Sequence, residues 1–266
     1  MFGRLIGNSV AAARDALGRG LVAVGVTPNT LTFAGMLLTA AAGVCYAVGA
    51  ARPFAWTLDP LAERNAYLLL AGGLMLLAAA CDMLDGAVAR FGGKATPFGA
   101  FLDSTLDRFS DFAVYAGIAV AYALHRPGNV TFTLLSMLCF FHAYMISYAK
   151  ARAEDFIESC KVGYWQRGER SAAILIATFA HNIPALLTQQ ALLPSFTAVR
   201  RILHTRATLK GKPPAKPGQG GMLMRLRLWR YPRASWPYDI VTALNIAWLI
   251  LAPVPEADVL RLWLAV

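Results

Sequence analysis

Long apolar runs separated by short polar breaks dominate the chain. The runs cover about 31–50, 66–88, 99–124, 130–149, 171–188 and 190–206. Each is close to the roughly 20 residues that a helix needs to cross a hydrocarbon core. "TPNTLT" (27–32) opens the first, with Pro28 near the start and Asn29 or Thr30 as the candidate cap. "FGGKATPFG" (91–99) breaks the second from the third, and Pro184 is expected to kink or end the fifth. Ahead of these, residues 3–24 set Leu5, Val10, Leu17 and Leu21 among arginines and small residues, the pattern of a helix lying on a membrane surface. The predicted fold is an all-α integral membrane protein, a six-transmembrane-helix bundle with an N-terminal juxtamembrane amphipathic helix.

Three regions follow from this pattern. Residues 1–207 form the membrane domain, 208–235 a basic linker rich in Pro and Gly, and 236–266 an apolar tail. From Arg200 to Arg233 there are ten Lys or Arg and no Asp or Glu, read first as a solvated flank beside the membrane. The tail is open among an interfacial helix, a helix docked on the domain and a seventh span.

Composition supports the membrane reading. The chain has 266 residues, 57% hydrophobic and 15% charged, with mean hydropathy +0.49. Soluble domains carry about 25% charged residues. The net charge of +10 then bears on orientation and anionic lipid, with no nucleic-acid partner expected. Cys45, Cys81, Cys139 and Cys160 are scattered and read as packing residues. Arg4, Arg14, Asp15 and Arg19 interrupt residues 1–24, so no cleavable signal is expected. Basic residues concentrate in the second-to-third, fourth-to-fifth and C-terminal connections. This predicts both termini in the cytoplasm, a multi-pass protein of the cytoplasmic (inner) membrane, and an acidic cluster facing the cytoplasm.

That cluster is the chemistry of the chain. Asp82 and Asp85 stand at i and i+3 near the end of the second run, with Ala89 at i+7 on the same face; Asp103 and Asp107 stand at i and i+4 in the third. Two adjacent helices can therefore present four carboxylates to one cavity. Unpaired charges there are very costly, and Arg90 and Arg108 are too few to neutralise the acids, so a bound cation is expected. Oxygen ligands without His or Cys favour Mg²⁺ or Mn²⁺, one or two ions, which take up substrate phosphates. Asp111 is expected to pair with Arg108 or with a neighbouring helix. Small residues at Gly86, Ala89 and Gly99 allow a bulky group close to the helix backbone.

Read together, Asp82, Asp85, Gly86, Ala89, Arg90, Gly99, Asp103 and Asp107 spell D-x2-D-G-x2-A-R-x8-G-x3-D-x3-D. Eight fixed places arise by chance on the order of once in 10¹⁰ starts, so the match is specific. The stretch resembles the motif of the CDP-alcohol phosphotransferase family. The resemblance implies an enzyme that moves a substituted phosphoryl group from a CDP-linked donor to an alcohol and releases CMP. It implies Asp82, Asp85, Asp103 and Asp107 as metal ligands, with Asp107 also placed to take the proton of the attacking hydroxyl. Gly86, Ala89, Arg90 and Gly99 would line the donor site with Asp82, joined by Asn29 and Thr32 of "PN-x-x-T". It also implies CDP-diacylglycerol as donor, membrane lipids as surroundings and a homodimer.

"SYAKARAE" (147–154), "QRGER" (166–170) and "VRRILHT" (199–205) are similar to the phosphatidylinositol-phosphate synthase branch of that family. The similarity implies Lys150, Arg152, Arg170 and Arg201 as ligands of an acceptor phosphate, with inositol 1-phosphate as the favoured acceptor. Cations converging on a phosphate dianion suit that role. Glycerol 3-phosphate, hence phosphatidylglycerophosphate synthesis, is the alternative acceptor. Outside this class, an intramembrane cation transporter or channel would explain the carboxylates but not the small residues and arginines around them. His142 and His181 are read as packed or interfacial, and His204 as nearer the basic cluster.

Overall fold

The computed structural model describes residues 2–51, 65–124, 128–211, 233 and 235–264. Among them every regular element is a helix: α1 (Phe2–Ala23), α2 (Pro28–Gly49), α3 (Ala66–Phe91), α4 (Pro97–Leu124), α5 (Val130–Ala153), α6 (Arg167–Phe179), α7 (Ile183–Leu209), α8 (Trp236–Leu251) and α9 (Val259–Leu264). Three of them, α2, α3 and α5, are long and apolar enough to cross a membrane. Large apolar side chains such as Leu37, Leu76, Phe141 and Leu192 stay exposed on the outer surfaces, as suits a bundle whose surroundings are hydrocarbon. The protein is a membrane protein.

Short polar side chains start the helices. Thr27 Oγ1 accepts the Thr30 N–H at 3.3 Å and Pro28 is in the first turn, so the cap of α2 is Thr27, ahead of the Asn29 or Thr30 expected. A proline at the first helical position forces the cap onto the residue before it. Asn65 caps α3, Asn129 caps α5 and Asn182 caps α7 in the same way. The Gly-rich break comes where the sequence puts it: α3 ends at Phe91, and Gly93 takes φ +60°.

The expected fifth and sixth runs, 171–188 and 190–206, are corrected. The chain turns at Ala180–Asn182, where His181 has φ 55°, and Pro184 sits in the first turn of α7 rather than ending a helix. At 1.5 Å per residue the 13 residues of α6 extend only ~20 Å, short of the ~30 Å hydrocarbon core. The turn escapes a hydropathy reading because Asn182 and His181 are flanked by apolar residues on both sides. His181 is packed, its Nε2 accepting the Asn65 N–H at 2.9 Å.

Close backbone approach sets the α2–α4 crossing. A Cβ on Gly43 would lie 2.5 Å from the Ala113 carbonyl oxygen, and one on Gly117 would meet the Gly43 carbonyl oxygen closer still. The buried Tyr46 hydroxyl bonds the Thr178 hydroxyl at 2.6 Å, tying α2 to α6. Ser136 Oγ donates to the Tyr115 carbonyl at 2.7 Å, tying α5 to α4. α2 packs along both α3 and α4, and the C-terminal half of α3, the N-terminal half of α4 and the start of α6 line one cavity beside it.

The described part of the tail packs on the bundle. Trp248 Nε1 donates to the Ala185 carbonyl at 3.0 Å, Asn182 Nδ2 donates to the Ala252 carbonyl at 2.9 Å, and Leu249 is buried. The Tyr122 hydroxyl then donates to Glu256 at 2.8 Å, and Asp258 accepts the Val130 and Thr131 N–H groups at the start of α5. Most of the basic Pro/Gly stretch, 212–232, lies outside the described residues.

Candidate active site

Asp82 and Asp85 project from α3, and Asp103, Asp107 and Asp111 from α4, into one cavity of about 460 Å³. The i, i+3 and i, i+4 spacings place them so, as the sequence suggests. One carboxylate oxygen from each of Asp82, Asp103 and Asp107 lies within 4.8 Å of the others. Asp85 shares the cavity but stands outside this triad, its Oδ2 accepting the Thr32 hydroxyl of α2 at 2.9 Å. Asp103 Oδ1 is buried without a hydrogen-bond partner. Three clustered hard oxygen donors, one of them orphaned, fit a Mg²⁺ or Mn²⁺ ion.

A residue outside the sequence-derived set completes the site. Arg167, in the first turn of α6, donates from Nη1 to Asp82 Oδ1 at 2.6 Å, and its Nη2 lies 2.7 Å from Asp107 Oδ1. The guanidinium bridges two of the three clustered acids and leaves Asp103 uncovered. One helical turn on, the buried Arg170 pairs with Asp111 at 3.3 Å. So the cations that pair with the acids are Arg167 and Arg170, while of the Arg90 and Arg108 considered from sequence Arg108 acts on Asp103 and Asp107 through its charge alone. Among the described residues those two make no ion pair, and Arg108 donates to the Ser104 carbonyl at 2.9 Å. The signal in the sequence was the i, i+3 spacing of the two arginines in "QRGER", which puts both on one helix face.

Of the other expected donor residues Thr32 lines this cavity too, and Asn29, Gly86, Ala89, Arg90 and Gly99 lie off its lining. A Cβ on Gly86 would meet nothing nearer than Arg90 Nη1 at 3.5 Å, so that face of α3 is open. A Cβ on Gly99 would lie 3.7 Å from Asn29 Oδ1, which brings the start of α4 to the start of α2. Ala89 is half-buried and Arg90 exposed.

The expected acceptor cations divide. Arg201 on α7 is buried, donates to the Val162 carbonyl at 3.3 Å and to the Ile146 carbonyl, and feels the charges of Arg170 and Glu154. Lys150 lies 3.9 Å from Glu154, the acid whose charge Arg201 feels. Arg152 turns away, paired with Asp155 at 2.8 Å and stacked over Phe156. His204 Nε2 reaches the Ser159 carbonyl at 3.4 Å.

Paired acids from two helices, a metal-competent triad and an arginine-bearing helix start define a class of phosphotransfer site. The pattern that describes the CDP-alcohol phosphatidyltransferases matches residues 25–206, and the chain belongs to that family. It is therefore an enzyme of phospholipid biosynthesis that depends on a divalent metal, and an ion-conducting reading falls away. Among its relatives, the archaetidylinositol phosphate synthase of Pyrococcus horikoshii is 33% identical over 200 residues, 74% of this chain and 92% of that protein. The phosphatidylinositol phosphate synthase of Mycobacteroides abscessus is 37% identical over 175 residues, 66% of this chain and 72% of that protein. A crystal structure of the Mycobacterium tuberculosis phosphatidylinositol phosphate synthase with CDP-DAG bound superposes with TM-score 0.59 at 30% identity, covering 73% of this chain and 94% of that one. A second, in complex with manganese and citrate, gives TM-score 0.58 at 31% identity over 78% of this chain and 96% of that one.

Proposed function

We propose that this enzyme transfers the phosphatidyl group of CDP-diacylglycerol to an inositol phosphate and releases CMP. The observation that carries the proposal is the junction of two opposite fields at the start of α6. Arg167 reaches the carboxylates of Asp82 and Asp107, while Arg170, three residues on, leads toward the buried Arg201. A donor diphosphate and an acceptor phosphate would thus meet at one helix end. The names and titles of the relatives support the same acceptor.

In this reading Asp82, Asp85, Asp103 and Asp107 hold the divalent metal, which would offset charge on the donor diphosphate. Asn29, Thr32, Gly86, Ala89, Arg90 and Gly99 form the cytidine side, and Thr32 keeps Asp85 oriented through its 2.9 Å hydrogen bond. Lys150, Arg170 and Arg201 hold the acceptor phosphate, and Arg152 would join them only by leaving Asp155 and Phe156. Arg170 would exchange its bond to Asp111 for the phosphate, and a bidentate guanidinium suits that dianion. Asp107 accepts the proton of the acceptor hydroxyl as its oxygen attacks the phosphatidyl phosphorus. The bond to the CMP oxygen breaks, and CMP leaves with that electron pair.

The same proposal includes the membrane setting: six crossings by α2–α7, with the segment ahead of Arg167 making up the length that the 13-residue α6 lacks, the cytoplasmic membrane with the acid cavity facing the cytoplasm, and a homodimer. It also includes α1 lying on the cytoplasmic surface. The supporting contact is Gly18 against Ala87, with Arg19 over the Phe91 ring 5.2 Å away, at the end of α3 that bears Arg90. The test is CMP release by the purified protein with CDP-diacylglycerol and Mn²⁺, offering inositol 1-phosphate, glycerol 3-phosphate, inositol and serine side by side. Release with inositol 1-phosphate alone is expected. Release only with glycerol 3-phosphate would move the enzyme to phosphatidylglycerophosphate synthesis.

A further inference from the structure

The family match ends at residue 206, yet the chain beyond it grips the active site from behind. Glu169 sits between Arg167 and Arg170 in the first turn of α6, and its carboxylate is only 10% exposed. Both of its oxygens are taken by the C-terminal segment. Arg233 Nε donates to Oε1 at 2.8 Å, Arg233 Nη2 donates to Oε2 at 2.9 Å, and the Tyr238 hydroxyl donates to Oε1 at 2.7 Å. Just ahead of α6, the Tyr164 hydroxyl bonds the Thr242 hydroxyl at 3.0 Å, and the Tyr164 and Tyr238 rings lie 5.2 Å apart.

Two features make these contacts matter for the site. Gln166, at the start of α6, makes no side-chain capping bond, so local sequence does not fix the turn. Gly168 and Ala172 line both the acid cavity and a second cavity of about 340 Å³ shared with α8. A single helix thickness therefore separates the tail from the acids. Arg167 and Arg170 face one side, and Glu169 is clamped on the other.

We propose that the segment from Arg233 through α8 is a built-in brace that sets the first turn of α6, so that Arg170 meets the acceptor phosphate while Arg167 spans Asp82 and Asp107. Glu169, Arg233 and Tyr238 are positioning residues: they touch no reacting atom and act through the two arginines. A shift of about 1 Å in such a turn is enough to change turnover, which is why a bidentate clamp is useful there. The proposal rests on the acceptor reading above for its substrate, but not for its geometry.

The test uses the full-length chain with Arg233→Ala and Tyr238→Phe, singly and together. Tyr238→Phe keeps the ring and removes only the hydroxyl, and size-exclusion and thermal unfolding report whether each variant folds. Two quantities are read: the ratio of acceptor to donor KM in CMP release, and Mn²⁺ affinity without substrates. In the double variant the acceptor KM should rise about five- to tenfold, with donor KM within about twofold, the scale of one or two charge-assisted hydrogen bonds. Mn²⁺ should bind about threefold more tightly, because a slackened Arg167 competes less for Asp82 and Asp107. Equal rises in both KM values, or an unchanged acceptor KM with unchanged Mn²⁺ affinity, would overturn the brace. A wild-type protein that releases CMP with no alcohol would overturn the acceptor reading instead, and the Mn²⁺ titration alone would then decide the brace.

Discussion

Arg167→Ala should strengthen metal binding. The guanidinium spans Asp82 at 2.6 Å and Asp107 at 2.7 Å, two of the three acids whose oxygens cluster. An incoming cation must displace both ion pairs. The side chains of Arg167 and Asp82 are 35% and 44% exposed, so solvent screens that pair to the ~0.2–1 kcal/mol typical of surface pairs. Asp107 is only 12% exposed. Its pair is better sheltered, and about 1 kcal/mol is a fair figure after screening. Together they set a penalty of about 1.5 kcal/mol on metal entry, or roughly tenfold in Kd. Titrating Mn²⁺ into substrate-free protein in detergent, with free Mn²⁺ followed by electron paramagnetic resonance, reads this directly. Arg167→Lys, a point charge that cannot span both acids, should fall between wild type and Ala. Unchanged or weaker Mn²⁺ binding in Arg167→Ala would refute the idea that the arginine and the metal compete for the same oxygens.

Asp107→Asn should lower turnover about 10²- to 10⁴-fold in the CMP-release assay, through loss of a proton acceptor and a metal ligand; near-normal turnover would rule out both roles. Arg170→Ala should raise the acceptor KM far more than the donor KM. Asp111→Asn, which removes only the carboxylate partner of Arg170, should leave the acceptor KM much nearer wild type; a matching rise would assign Arg170 to the fold. Gly117→Ala should destabilise the protein by about 1–3 kcal/mol, seen as a lower Tm in detergent, because its Cβ would run into the Gly43 carbonyl of α2. An unchanged Tm would mean that the α2–α4 crossing relaxes freely.

The sequence shows best what depends on spacing along one element. The helical phase of Asp82, Asp85, Asp103 and Asp107 follows from their i, i+3 and i, i+4 intervals, and all four line one cavity. The start of α2 was legible from Pro28 and its polar neighbours, although the cap fell on Thr27, whereas the same pairing of Asn182 with Pro184 at the start of α7 was missed. The turn at Ala180–Asn182 was hidden because hydropathy continues through it. Arg167 was hidden for a different reason. Its partners are on other helices, and a loop-charge pattern that orients a membrane protein assigns every basic residue the same bland role. The docking of α8 depends on Trp248, Asn245 and Leu249 meeting α6 and α7, which no local pattern specifies.

The most direct test of the account is the mass of the lipid made from CDP-diacylglycerol, inositol 1-phosphate and Mn²⁺. The account predicts a product that keeps both phosphates, the phosphatidyl phosphate and the acceptor's own, formed one for one with CMP and absent with Asp107→Asn. A lipid carrying a single phosphate, or CMP released without any new lipid, would contradict it.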